Sequence, residues 1–315
     1  MKGSMRLCAA FAAGLLALST AAGAQPADKA AIPPQLVALE KSLHRATGVV
    51  PIPAAGAKLN LGSDYHFVPA DEARRIIVEA WGNPPASASD VLGMVFPKGK
   101  SFLDDTWAAV VTYEKTGYVS DENARDEDYA AVLDQMKEAA EASNEERRQT
   151  GFPAVHIVGW AQQPSYDASR HSLVWARELI FEGERVNSLN YDVRLLGRTG
   201  VLSLNMVTVM PALADVRKAA ASLSQTATFD VGARYADYNP QTDTKAEYGL
   251  AGLVAAGAGV AAAKKLGLIG LILAFGKKFI VLIVIAVAAL GRWAVGLIGR
   301  GRDKFDDPPS ETPAA

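Results

Sequence analysis

Cysteine is almost absent from this chain of 315 residues. The single Cys8 excludes a disulfide scaffold and any cysteine-rich zinc module. It also lies too early to accept a lipid, because no apolar stretch precedes it. Histidine is scarce as well. His44, His66, His156 and His171 include no pair three or four residues apart, and no HExxH motif occurs, so no metal is expected. There is no G-x-S-x-G elbow, no S-x-x-K and no glycine-rich phosphate loop, so no cofactor is expected either. An excess of one charge is also lacking. The 32 Lys and Arg against 34 Asp and Glu leave −2, which gives no ground for nucleic-acid binding. Half of the residues are hydrophobic, which excludes a disordered chain.

The two ends are distinctive. Lys2 and Arg6, the apolar run Leu7 to Leu18, and the small residues Ala22-Gly23-Ala24 predict a secretory signal peptide over 1–24. The run is too short for a membrane anchor. Cleavage removes Cys8 and leaves no thiol for catalysis. Near the other end, Phe279 to Gly299 has one charged residue, Arg292. Its length corresponds to about 31 Å of helix, one hydrocarbon core. Phe279 to Leu290 is uncharged and apolar on every face, which suits lipid better than a soluble core. Arg292 sits near the end, where it can extend toward headgroups, with Trp293 beside it as an interfacial residue.

A weaker Gly/Ala-rich segment precedes this span, at 246–278. Lys264-Lys265 interrupts it and Lys277-Lys278 closes it. The paired lysines favour a membrane-proximal helix and a single crossing, with a two-helix hairpin as the alternative. Charge segregates accordingly: residues 25–248 carry −8 and residues 249–315 carry +4. An acidic exported domain at 25–245 and a short basic-flanked cytoplasmic tail at 300–315 follow. The expected location is the bacterial inner membrane, single-pass, with the N-terminal domain in the periplasm.

For the exported domain the pattern predicts an α+β fold, an antiparallel sheet of hairpins with about three packed helices, followed by the C-terminal transmembrane helix. Pro69 with Asp71 and Glu72 opens the first helix, and Ala73, Ile76, Ile77 and Ala80 give it one apolar face. The second runs from about Glu127 to Gln149, with Tyr129, Leu133, Met136 and Ala140 as its stripe; the third starts at Pro211. A short helix is compatible with Ile32 to Arg45, and strand-like pieces lie between Val49 and Val68. Strands are predicted at Val91 to Phe96, Trp107 to Glu114, Val155 to Trp160, Leu173 to Phe181, Leu189 to Leu195 and Val201 to Val209. In Leu189 to Leu195 apolar and polar residues alternate, which predicts a half-buried strand. The short turns between the last three runs require antiparallel hairpins.

Chemistry is thinly signalled. His156 and His171 flank a predicted turn with Asp167 between them; either a hairpin lets the two rings meet as a metal or acid/base pair, or this is a polar loop with two partly exposed histidines. Asp121 to Glu146 holds ten acids and two bases without the order of a calcium loop, as expected of a solvated helix face. Glu114, Glu178, Asp192 and Arg194 lie on strands, where cross-strand ion pairs explain them as well as acid/base chemistry does. Trp160, Tyr166, Trp175, Tyr191, Tyr235 and Tyr238 either pack or line a groove.

Six segments carry a resemblance: GYVSDENA (Gly117 to Ala124), NEERRQTG (Asn144 to Gly151), GWAQQPSYD (Gly159 to Asp167), LVWARELIF (Leu173 to Phe181), LNYDVRLLGRTGVLSLN (Leu189 to Asn205) and GARYADYNPQTDTKAEYGLAGLVA (Gly232 to Ala255). Together they resemble a bacterial family of membrane-anchored proteins known as a domain of unknown function. The resemblance runs from about Trp81 to the end and is weaker before Tyr65. It implies an exported domain with a C-terminal anchor and transfers no catalytic residue. Its motifs offer binding candidates in Asn144, Arg147, Trp160, Trp175, Asn190, Arg194, Arg198 and Asn205, and catalytic candidates in Asp167 and Glu178 beside His156 and His171. The expectation is a binding or adaptor module of the cell envelope, in contact with the lipid bilayer and with a membrane or periplasmic protein or a second copy of itself. The alternative is a membrane-tethered periplasmic hydrolase.

Overall fold

A computed structural model describes residues 32–257 except Asp126. The predicted signal peptide at 1–24, the span at 279–299 and the tail at 300–315 lie outside these residues, as does most of the segment 246–278. Among the described residues no helix is long and apolar enough to cross a membrane.

The elements run α1 (Pro34–Ser42), β1 (Val49–Ile52), β2 (Ala57–Asn60), β3 (Tyr65–Pro69), α2 (Ala70–Arg75), β4 (Val91–Pro97), β5 (Ala108–Glu114), α3 (Tyr129–Gln149), β6 (Val155–Asp167), β7 (Ser172–Phe181), β8 (Ser188–Leu196), β9 (Val201–Val209), α4 (Leu213–Ser224), β10 (Ala227–Phe229) and α5 (Leu250–Ala256). The fold is α+β. Seven strands form one antiparallel sheet in the order β3-β4-β5-β9-β8-β7-β6, and β1-β2-β10 form a second. The large sheet is two meanders, β3 to β5 and β6 to β9, joined where β5 pairs with β9.

Local chemistry sets the helix boundaries. Asp128 caps α3 by accepting from the Ala130 and Ala131 amides at 3.1 and 3.0 Å. Asp71 and Glu72 lie in the first turn of α2, whose path continues as a π-helical turn over Ile76–Ala80. Ala73, Ile76, Ile77 and Ala80 are all buried, as their spacing requires. Of the predicted stripe on α3, Met136 is buried; Val132 and Asn144 complete the buried line, with Leu133 half-exposed. Five α-helices stand among the described residues, against about three expected; α1 lies within the stretch Ile32 to Arg45 read as compatible with a short helix, and α5 is the addition to the domain.

Both faces of the large sheet are covered. On one, Leu189, Tyr191, Val193 and Leu195 of β8 pack with Val216, Ala220 and Leu223 of α4 and with Val50, Ile52 and Leu59 of the small sheet. On the other, at the β3-β4-β5 end, Val68, Met94, Phe96 and Val110 pack against Leu39 of α1, Ala73 of α2, and Ile76 and Ile77 of the π-helical turn. At the β7-β8-β9 end this second face is polar. It is nevertheless covered, so all nine residues of β8 are buried. The half-buried strand expected from its alternation is therefore corrected.

Candidate functional site

The polar rows of the sheet follow from register. Trp175, Asp192 and Asn205 are cross-strand partners, as are Arg177 and Asn190, and Arg194 and Ser203. Side chains opposite one another share a face, so these residues stand together. Asp192 is their centre. Its carboxylate, fully excluded from solvent, accepts from Arg177 and from Arg194, each at 3.1 Å. Arg194 also donates to Glu114 on β5 and lies over the Trp175 ring, 5.4 Å from its centroid. Burial pushes the Arg177 guanidinium down from its ordinary value despite Asp192. Burial also opposes the charge of Arg194, but Glu114 and Asp192 outweigh it and raise the group. Two arginines and two carboxylates balance, which is the condition for ions at this depth.

The roof of this centre comes from the C-terminal side. Leu250, Leu253, Val254 and Ala255 of α5 are buried. Past the helix, the Gly257 carbonyl accepts from Arg177 at 3.1 Å, so a cation meets the negative end of the helix. A Cβ at Gly257 would lie 2.8 Å from the Trp175 ring and 3.0 Å from the Arg194 guanidinium; only glycine fits there. The first part of the predicted membrane-proximal segment is thus packed into the domain.

The stretch between β10 and α5 is fastened as a strap. Arg198, in the β8–β9 turn, grips Asp243 bidentately at 2.7 and 2.9 Å. Tyr118 pairs by backbone with Lys245, and at Gly117, whose φ is +91°, a Cβ would sit 2.6 Å from the Thr244 carbonyl. Rings continue the fastening. Tyr238 stacks on Tyr118 at 3.8 Å, Tyr118 on Tyr235 at 4.5 Å, and Tyr235 on His171 at 4.1 Å between centroids. The Tyr235 hydroxyl donates to the Val119 carbonyl at 3.0 Å.

His171 ends this stack. Its φ of +49° is the one positive value at a non-glycine position among the described residues. Nδ1 lies 3.1 Å from the Tyr166 hydroxyl, which donates to Asp121 at 2.6 Å. Burial works against the Asp121 carboxylate, but the hydrogen bond from Tyr166, with the Asp121 amide and His171 adding to it, outweighs burial and holds the group below its ordinary value. Burial and the same carboxylate push the Tyr166 phenol up.

Residues 44–288 match the family described as "Protein of unknown function (DUF2167)". The chain belongs to that family. No curated protein matches it by sequence. Among solved structures it is similar to cyanobacterial PsbP (CyanoP) from Synechocystis sp. PCC 6803, at 11% identity and a TM-score of 0.34, over 65% of this chain and 98% of that one.

Four of the six segments resembling this family map onto one assembly. GYVSDENA supplies Tyr118 and Asp121, LVWARELIF supplies Trp175 and Arg177, LNYDVRLLGRTGVLSLN supplies Asp192, Arg194 and Arg198, and the last segment is the strap with α5. Four predicted binding residues, Trp175, Asn190, Arg194 and Asn205, are thereby brought together, and Arg198 holds the strap. The others serve elsewhere. Asn144 exchanges two hydrogen bonds with the Val155 backbone at 2.8 and 3.0 Å, Arg147 donates to the Pro153 carbonyl at 2.7 Å, and the Trp160 indole donates to the Tyr129 carbonyl at 3.2 Å.

The predicted catalytic set does not assemble, which corrects the expectation that His156 and His171 meet. The hairpin is long. His156 pairs with Ile180 at one end of β6, whereas His171 precedes the pair Asp167 and Ser172 at the other. His156 binds Glu141 of α3 at 2.5 Å, Asp167 closes a turn with Ser169, and Glu178 accepts from Asn187 at 2.5 Å. The sequence pattern does not single out Asp121, Arg177 or Asp243 as site residues. For Arg177 the available signal was its position in a strand beside Trp175 within a resembling segment. Among the described residues no group of three or more His, Cys, Asp or Glu side chains is placed to hold a metal.

Proposed function

We propose that the protein is a membrane-anchored binding or adaptor module of the bacterial cell envelope. Its acidic domain is periplasmic, and its C-terminal segment crosses the inner membrane once. The observation that carries this reading is the fastening of the strap and α5. The domain places its buried ion cluster, its tyrosine stack and the Arg198–Asp243 clamp on the stretch of chain leading to the apolar segments. A domain gripping its own tether transmits position, which suits a module that holds a protein partner close to the bilayer. Self-association is the other form such a partner takes.

The test is crosslinking of the full-length protein in its own membrane, with mass spectrometry of the captured species. One foreign protein at stoichiometric yield is the expected result. Capture of itself alone points to the homo-oligomer, and capture of nothing overturns the adaptor role.

One observation favours the hydrolase as a second reading: His171 is strained in backbone, partly exposed, and oriented through Nδ1 toward Tyr166 and Asp121. That is the arrangement of a general base with an orienting acid. His171→Phe separates the readings, because it keeps a ring against Tyr235 and removes the base. It leaves an adaptor's crosslinking pattern intact and abolishes turnover by a hydrolase.

A further inference from the structure

The strap and α5 leave the body through one narrow turn. On the body side the Asp230 amide, just past β10, donates to the Gly56 carbonyl at 2.8 Å. On the strap side the Gly232 amide donates to the Asp237 carboxylate, also at 2.8 Å. The turn is closed by the Ala233 amide, which donates to the Asp230 carbonyl at 3.0 Å, and Gly232 has a φ of +89°. Its tip, Val231, is 85% exposed, more than any other large hydrophobic side chain among the described residues.

Beyond this turn the strap is held by receptors that the body presents. Arg198 takes Asp243, Glu122 takes Lys245 at 3.4 Å, and Arg177 takes the Gly257 carbonyl. The Tyr118 backbone exchanges hydrogen bonds with Thr244 and Ala246 at 2.9 and 2.8 Å. None of these contacts depends on the connection through Val231. Exchange of the strap between two copies remakes all of them, so its cost falls on the turn alone. Short hinge loops invite such exchange. The four residues Asp230 to Ala233, drawn out, reach about 13 Å, so two exchanging bodies lie against each other. Their hinges then run through one interface, where Val231 and the partner's Val231 are covered.

The receptors also specify the occupant. They call for a carboxylate on Arg198, an ammonium group on Glu122 and tyrosine rings on Tyr118, and a second copy of this chain supplies these in the right order.

We propose that two copies of this chain associate by reciprocal exchange of residues 232–257, each strap and α5 seated on the body of the other copy. The inference deepens the self-association form of the reading above. Its failure leaves the capture of a foreign protein untouched, and failure of that capture leaves exchange untouched.

The test coexpresses two differently tagged full-length versions, one with Arg198→Asp and one with Asp243→Arg, and captures on one tag after extraction in mild detergent. Within a single chain each variant sets like charges at the clamp. Exchange between the versions restores opposite charges at both clamps. Joint capture at least about tenfold above that of either variant with itself is expected, with the strap protected from protease in the mixed pair alone. One chain carrying both substitutions checks that the reversed pair folds.

A second measurement leaves the clamp native. One version carries Lys245→Ala and the other Glu122→Ala, both at exposed positions, and a carbodiimide joins the remaining ammonium and carboxylate groups. A peptide joining Glu122 of one version to Lys245 of the other is the expected product, because these two groups meet across an exchanged strap. The inference is overturned if that peptide is absent. It is overturned equally if the reversed pair folds within one chain yet the mixed versions are not captured together.

Discussion

One face of one sheet carries two different floors. Beneath α1 and α2 it is Val68, Met94, Phe96 and Val110, and beneath the end of α5 it is Trp175, Arg177, Asp192 and Arg194. Both are closed to solvent, so burial does not distinguish them. Positional demand does. An apolar floor accepts any apolar roof of the right volume, whereas a guanidinium held by Asp192 accepts a carbonyl in one place only. The apolar end therefore supplies cohesion, and the polar end fixes where the chain leaving the domain must lie.

The sharpest way to break this contrast is at Asp192. Asp192→Ala leaves the buried Arg177 guanidinium with no carboxylate and Arg194 with Glu114 alone, and is expected to cost about 3–5 kcal/mol, read as a fall in the denaturation midpoint of the full-length protein in detergent. Replacing Arg177, Asp192 and Arg194 together by Met, Leu and Met is expected to be neutral or stabilising while releasing the end of α5 to proteolysis, with the strap still held by Arg198 and Asp243. If the triple variant keeps the end of α5 protected, the polar floor is not what positions it. The matching change at the apolar end, Met94→Ala, removes packing alone and is expected to cost about 2–5 kcal/mol with the strap still protected. Gly257→Ala forces a methyl group against Trp175 and is expected to cost about 1–3 kcal/mol, with a change in indole fluorescence that Met94→Ala does not produce.

The smallest effect is expected in acid. Because the Asp121 carboxyl is held below its ordinary value, its contribution is complete above the unfolded carboxylate pKa. It is lost as the pH falls through the lower, folded value. Asp121→Asn should flatten that limb of the stability profile and leave neutral pH less affected. An unchanged acid limb would show that the Tyr166 hydrogen bond contributes little.

Periodicity made most of the architecture legible. β9 occupies Val201–Val209, the span its alternation predicts, and the buried face of α2 with its following turn is the predicted one. What periodicity concealed was distance along the chain. Arg194 meets Glu114, and Arg177 meets Gly257, each across 80 residues. A strand that alternates apolar and polar residues looks the same whether its polar side faces water or a roof supplied by a later helix. The same limit misplaced α5: Leu250–Ala256 has the composition of a segment beside a membrane, and its apolar side chains serve the domain. For His156 and His171, a turn between them was legible, but the 13-residue length of β6 was not.

Asn144 has a consequence for how this molecule meets others. Its carboxamide gives and takes at Val155 in the pattern of a peptide group, on the outer edge of β6. Farther along, that strand carries three register shifts and Pro164, while at the opposite edge the Ala46 backbone occupies Phe67. With both margins spoken for, the sheet is a poor template for an incoming strand. Recognition of this domain is thereby left to side chains, and adding to its backbone ladder, the common route to accidental fibres, is closed.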